Sequence, residues 1–264
     1  MVLLERKMRR RVGISDIEAV EFASKFVLFG ARARERRRTL SRFNLCQNIT
    51  QPATKTRCGE AAEAEGLGRP SMGCTASTRP RCDWVGDDPA YRAYHDDEWG
   101  VPSFDDRYLF EMICLEGAQA GLSWITILRK REGYRAVFAN FEREAVADLS
   151  DEYLEGLRED ARIVRHRQKI ESVRSNAVAA MAVAEAYGSL AAFLWEVVDG
   201  RPRMNRWPSR AEVPARTDLS DRLSAELKRK GFKFVGSTIC YAFMQAVGMV
   251  NDHTRVCFLH GVAR

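Results

Sequence analysis

All twelve Trp and Tyr residues of this 264-residue chain lie beyond residue 80. Large aromatic side chains bury about 150–250 Å² each and dominate protein cores. The Trp and Tyr of any core this chain forms therefore come from residues 81–264, while Val20 to Gly30 (VEFASKFVLFG) could form one short helix or strand in the first 80. The first 80 residues hold 16 Lys and Arg against 8 Asp and Glu, including ARARERRRTL at 31–40 and a polar stretch from Gln47 to Pro80. Such a composition buries too little apolar surface to offset its ordering entropy, so a disordered basic extension is expected over 1–80. Two readings of it stand side by side. It is a basic arm for DNA or another polyanion, or a dispensable tail left by a start assigned too early, with Met72 as the alternative beginning. The opening MVLLERKMRRRV has too short an apolar stretch, with its charge on the wrong side, for a secretory signal. No run of about 18 apolar residues exists to span a membrane.

Charge is also divided inside 81–264. Residues 81–157 carry 8 basic and 17 acidic side chains, and residues 158–264 carry 18 and 11. The densest cationic stretch, Arg201 to Lys233, has ten basic and four acidic residues. A nearly neutral domain can thus turn one cationic side toward phosphates, which supply much of the affinity of DNA-binding proteins. Solvated helix faces would give the same counts.

From residue 81 onward the apolar spacing is helical, and the class is all-α. Asp105 or Asp106 caps a helix to about Ala118. Ser123 caps a second over WITILRKRE. A long helix runs from about Ile163 to Tyr187, with Ile170, Val173, Ala177, Met181 and Ala184 in register and Gly188 as its stop. Ser189 opens LAAFLWEVV, closed by Gly200. Arg201 to Thr217, with Pro202, Pro208 and Pro214, reads as a loop. Ser220 caps a helix that Gly231 ends, and Ser237 starts another that Gly248 ends. No strand alternation of useful length and no internal repeat is present.

Three constellations could carry chemistry. Cys82 and His95 lie at one end of the domain, and His253 and Cys257, spaced i and i+4 on one helical face, lie at the other. Two thiolates and two imidazoles can fill a tetrahedral zinc shell, a closed and hence structural set that would pin the chain ends together. His260 is a possible substitute, Cys114 and Cys240 read as core, and the spacing alone leaves a metal-free alternative open. The second constellation is aromatic. Residues 81–134 hold seven of the twelve Trp and Tyr, and the stripe Leu109, Ile113, Glu116, Ala120 places a carboxylate on an apolar face. A carboxylate buried there costs several kcal/mol, as an order of magnitude, unless it is paired. Aromatic walls around a fixed carboxylate suit a flat cationic ligand, whereas a glutamate leaning out to water would need no ligand. The third is a helical hairpin, its helices joined by Gly231-Phe-Lys-Phe-Val-Gly236, with free amide groups at the start of the second helix and Lys228, Arg229, Lys230 and Lys233 around it. Grip on a DNA backbone and generic helix packing are both consistent with it.

Six blocks in order carry a resemblance: Arg81-Cys-Asp-Trp84, Tyr91-x-x-Tyr-His-Asp-Asp-Glu-Trp-Gly-Val-Pro102, Leu109-Phe-Glu-Met-Ile-Cys-Leu-Glu116-Gly, Gln119-Ala-Gly-Leu-Ser-Trp124, Gly231-Phe-Lys-Phe-Val-Gly236 and Val250-Asn-Asp-His253. Together they closely resemble the type I DNA-3-methyladenine glycosylases, over about 81 to 258. The resemblance implies a helix-hairpin-helix glycosylase domain at 81–264, with 1–80 outside it. It implies structural zinc on Cys82, His95, His253 and Cys257. It places Glu116 in the base pocket, hydrogen-bonded to the extruded base, with Tyr94 and Trp124 against that base and Trp84, Tyr91 and Trp99 nearby. Gly231, Lys233, Gly236 and Ser237 would hold the DNA backbone, while Leu122 and Gln119 would fill the space left in the duplex. The implied activity is monofunctional, hydrolytic removal of 3-methyladenine from double-stranded DNA, leaving an abasic site. N3-methylation makes the base cationic, so it departs neutral without strong acid catalysis, and its poor pairing lowers the cost of flipping. Asp252, which immediately precedes a zinc ligand, is given no catalytic role. A monomer in a bacterial-type cytoplasm, away from membranes, is expected. The alternative is a zinc-stapled DNA-binding module without catalysis.

Overall fold

The computed structural model describes residues 79–262. The expected basic extension and the alternative start at Met72 lie outside the described residues. The described chain is almost wholly helical: α1 Pro89–Asp97, α2 Asp106–Gln119, α3 Trp124–Leu128, α4 Arg131–Val137, α5 Arg143–Ala147, α6 Asp151–Gly156, α7 Arg167–Tyr187, α8 Leu190–Trp195, α9 Asp218–Arg229 and α10 Ser237–Ala246. No single helix among the described residues is long and apolar enough to cross a membrane.

The helix starts follow local chemistry. Asp88 accepts from the amides of Ala90 and Tyr91 ahead of α1, where Pro89 has no amide to satisfy. Asp105 accepts from Tyr108 N to start α2. Gly188, at φ 91°, stops α7 in the left-handed conformation that glycine adopts without strain. Three boundaries depart from expectation. The segment after Ser123 breaks into α3 and α4, and at the break Arg131 turns inward to a buried ion network. The long helix starts at Arg167, capped by His166, because Ile163 is spent in the core ahead of it. Thr217 rather than Ser220 caps α9. Ser220 sits at the third position, and its hydroxyl accepts from Thr217 N in a reciprocal capping box.

The stretch after Gly200 is not wholly loop, and the absence of strands holds only for long ones. Arg203–Met204 (β1) pairs in parallel with Val250–Asn251 (β2). Backbone bonds from Arg203 N to Met249 O, Asn205 N to Asn251 O and Arg255 N to Trp207 O extend this seam. Two residues per strand leave no alternation for a sequence to display.

Helix α2 is the buried centre, with every residue from Leu109 to Ala118 buried and with α7, α8 and α10 packed around it. Gly248, at φ 72°, lets the backbone at 101–102 lie against the end of α10. A Cβ there would stand 2.4 Å from Pro102 N. The two ends of the domain meet as well, since Phe258 N donates to Pro80 O at 2.8 Å.

Candidate functional site

Two glutamates on α2 are buried five residues apart, and their surroundings differ. Glu111 accepts from Arg131 Nε at 2.6 Å and from Arg135 Nε at 2.8 Å, and Arg131 also holds Glu98 at 2.7 Å. That is a satisfied ion network tying α1, α2 and α4 together. Glu116 is 3% exposed and faces no cation; its Oε2 has no hydrogen-bond partner. Burial alone pushes its carboxyl up to about 8. A fold keeps an unpaired buried carboxylate only against its own stability, which makes Glu116 a candidate functional group.

Glu116 opens onto a cavity of about 320 Å³. That is the low end of the range of about 300–1,000 Å³ for small-molecule pockets and suits one flat ring system. All five expected aromatics, Trp84, Tyr91, Tyr94, Trp99 and Trp124, line it. Tyr94 and Trp124 stand with ring centroids 5.3 Å apart, and Trp84 lies 4.9 Å from Tyr91 and 5.1 Å from Trp99. The indole Nε1 of Trp124 is buried without a partner. The cavity therefore offers aromatic faces, one free carboxylate oxygen and one free N–H donor.

Gln119 lines the same cavity, whereas Leu122, two turns of chain beyond Glu116, is a large apolar side chain left 41% exposed. At the hairpin, α10 begins after Gly236 with no side chain capping its first amides, and a Cβ at Gly236 would meet nothing within 4 Å. Lys233 lies between the glycines. The Ser237 hydroxyl is shared with Ser220 at 2.9 Å. Thr238, one residue on, lines the cavity, so the start of α10 adjoins it.

The four expected metal ligands come together. Cys82, His95, His253 and Cys257 are all buried, with their ligand atoms within 4.8 Å of one another, a group that could hold a metal ion. His95 Nε2 and His253 Nδ1 lie 3.4 and 3.5 Å from Cys257 Sγ, and His253 Nδ1 lies 3.6 Å from Cys82 Sγ. The Cys257 thiol is held below its ordinary range, first by its bond with Cys82 and then by those with the two histidines; Cys82 is raised by the same pairing and by burial. His95 Nδ1 contacts Asp96 at 2.8 Å, and Arg81 braces that carboxylate. Such outer contacts fix the ring orientation of a ligating histidine. His260 stands outside the group, with its Nδ1 2.9 Å from His253 O. Cys114 and Cys240 are buried thiols raised by desolvation, as core residues are.

Several residues of the site were given no role by the sequence reading. Asp252 lines the cavity and accepts four bonds: from Asn205 and Trp207 at Oδ1 (2.6 and 2.8 Å), and from Tyr241 and Gln245 at Oδ2 (2.7 Å each). It ties α10 to the segment after β1, whose continuation, Arg210 and Val213 to Ala215, closes one side of the cavity. The visible signal was the run Asn251, Asp252, His253, polar residues within an apolar segment that all prove buried.

A family model described as methyladenine glycosylase matches residues 84–260. The chain belongs to the methyladenine glycosylase family. It is 52% identical over 177 residues to DNA-3-methyladenine glycosylase 1 of Escherichia coli (strain K12), a match covering 67% of this chain and 95% of that one. It is 45% identical to DNA-3-methyladenine glycosylase of Haemophilus influenzae, over 67% of this chain and 96% of that protein. Among solved structures, a crystal structure of 3-methyladenine DNA glycosylase I is 54% identical, with a TM-score of 0.67, covering 69% of this chain and 100% of its own. The Staphylococcus aureus member, solved to show the structural basis of 3-methyladenine recognition, is 35% identical with a TM-score of 0.67, covering 70% and 98%. Every residue placed around the cavity and the Cys/His group, apart from Arg81 and Cys82, falls inside the stretch that the methyladenine glycosylase model matches.

Proposed function

We infer that this member of the family excises 3-methyladenine from alkylated double-stranded DNA by hydrolysis, leaving an abasic site. The observation that carries the reading is Glu116: a buried, unpartnered carboxylate amid aromatic faces, in a chain whose relatives bear the name DNA-3-methyladenine glycosylase. A positively charged methylated base supplies the charge partner that the fold leaves out, and its ring lies in the cavity against Tyr94 and Trp124, which stand beside each other as one aromatic wall. Trp84, Tyr91 and Trp99 form the remaining wall. The alkylated base leaves as a neutral molecule once water attacks the sugar carbon, so the pocket's task is to extract and hold the base rather than to protonate it. The residues lining the cavity include no lysine that could form a covalent adduct with the sugar, which supports a monofunctional reaction.

The Cys/His group is read as a structural zinc site. Zinc–sulfur bonds of about 2.3 Å and zinc–nitrogen bonds of about 2.0–2.1 Å at tetrahedral angles imply a sulfur–nitrogen edge of roughly 3.6 Å. Three of the four sulfur–nitrogen separations, at 3.4, 3.5 and 3.6 Å, agree with that edge. Four protein ligands leave no position for a reacting water, so zinc here would bind the domain's ends and take no part in hydrolysis. The unit α9–Gly231-to-Gly236–α10 is read as a helix-hairpin-helix element. In it the free amides after Gly236, beside Lys233 and Ser237, hold a phosphate, while Leu122 and Gln119 enter the duplex behind the flipped nucleotide. We assign the glycosylase domain to 81–264, with 1–80 as an extension outside it, and the working form to a cytoplasmic monomer. A non-catalytic DNA-binding module would have no use for the Glu116 carboxylate.

The direct test is release of free base from methylated duplex DNA, resolved by chromatography. Release of 3-methyladenine above a buffer control is expected, and its absence would overturn the reading.

A further inference from the structure

Two polar side chains of α7, Lys169 and Asn176, stand seven residues apart. They lie on one face of the helix, roughly 10 Å along its axis, and both are buried away from any charged partner. The Lys169 ammonium is 8% exposed at the residue level and donates to Ala118 O at 2.9 Å and Ala120 O at 2.6 Å. These are carbonyls at the C-terminal end of α2, which a helix leaves without intrahelical partners and where a cation is favoured. The turn that follows carries Gly121 at φ 79° and then Leu122, whose N–H closes back on Gln119 O at 2.6 Å. Lys169 therefore seats the turn that presents Gln119 and Leu122.

Asn176, 2% exposed, grips the hairpin. Its Oδ1 accepts from Lys233 N at 2.7 Å, and its Nδ2 donates to Lys233 O at 3.2 Å. One side-chain amide thus satisfies both backbone groups of one residue, in the manner of a strand pairing. The next residue, Phe234, holds a φ of 54°, a left-handed conformation costly for a side chain of its size, and the Asn176 grip holds the chain there. The two seated elements also touch each other. A Cβ at Gly117 would stand 3.1 Å from Phe234 Cβ and 3.3 Å from Phe234 O, so a glycine is what lets α2 and the hairpin close up.

We propose that Lys169 and Asn176 are positioning residues that fix the spacing between the Gln119–Leu122 turn and the Gly231–Gly236 hairpin. Phosphate grip and base extrusion then act as one rigid tool mounted on α7. The proposal rests on reading those two segments as DNA contacts. Its chemistry is positional: neither side chain reaches the cavity, and neither meets the base.

The experiment compares wild type, Lys169→Met and Asn176→Ala on a methylated duplex, with single-turnover excision, KM for DNA, metal content and quenching of Trp fluorescence by free 3-methyladenine. Lys169→Met should lower the rate at saturating DNA by roughly tenfold or more, since small misplacements cost that much. Asn176→Ala should act mainly on KM. Both should retain metal and the quenching by free base. In a Leu122→Ala background the Lys169→Met loss should largely disappear, because the turn no longer has a side chain to place. Unchanged rate and KM in both variants, or losses that simply add to that of Leu122→Ala, would refute the proposal. Should Lys169→Met fail to fold, the Asn176→Ala split between KM and rate decides alone. Absence of excision by wild type would instead strike the proposed function.

Discussion

Replacing Glu116 by Gln should make the protein more stable at alkaline pH while weakening its chemistry. Burial raises this carboxyl from 4.5 to about 8. At about 1.4 kcal/mol per unit, the ionised form costs the fold on the order of 5 kcal/mol relative to the protonated one. The sign follows from the direction of the shift. Below pH 4.5 the group is neutral in both folded and unfolded chains, and no stability is lost. Between 4.5 and about 8 only the folded chain holds the proton, so stability falls as pH rises, and above that range the whole cost is present. Glutamine carries no charge at any pH and escapes this loss. Its advantage should be near zero at pH 5 and reach several kcal/mol at pH 9, a rise of roughly ten degrees in Tm for a domain of this size. Parallel melts of both proteins at the two pH values, with excision assayed on the same samples, read both effects. Metal release at the acid end would affect both proteins alike and cancel in the difference. A melting gap that is the same at pH 5 and pH 9, or unimpaired excision by the variant, would refute the assignment of Glu116 as an uncompensated carboxylate held for the base.

The same shift predicts that kcat/KM for wild type rises about tenfold between pH 7 and 9, as Glu116 ionises in the free enzyme, and that the rise is absent in Glu116→Gln. Cys82→Ala should abolish stoichiometric metal, read by atomic absorption, and lower Tm by roughly ten degrees, since the ligand set closes a contact between the chain ends. Tyr241→Phe removes one of the four donors to Asp252 and should cost about 1–3 kcal/mol in a denaturant titration, with metal content unchanged. Lys233→Ala should reduce the salt slope of DNA binding by about one, with affinity for free base unaffected.

The parts of this structure legible in the sequence were those with local causes. Helices α2, α7 and α10 follow from apolar spacing, with Asp105 starting α2 and Gly188 stopping α7, and Glu116 betrayed itself as the polar member of an apolar stripe. Cys82 and His95 had no such signal. Their ligand types suggested a set with His253 and Cys257, more than 150 residues away, but the spacing alone left a metal-free alternative open, and the quoted motifs rather than the spacing decided between the two. Asp252 was given no catalytic role because it precedes a zinc ligand, and its part in holding the cavity wall was not legible because its four donors come from separate segments. Lys169 and Asn176 were hidden for a related reason. Their neighbours Ile170, Val173 and Ala177 read as the core face of α7, and only packing reveals that two polar residues on that helix are buried with backbone partners.

The meeting of the domain's ends has a mechanical consequence. Cys82 and Cys257 are neighbours in space, and just outside them Pro80 bonds to Phe258. Tension applied between residues 80 and 258 would pass straight across this neck. The pocket and hairpin, lying on the long arc of chain between, would remain slack until the neck gave way. With a metal in place, the domain should therefore resist a pull on its ends up to the rupture of its coordination bonds and then yield in a single large extension, rather than unravel from either end past the base-binding site.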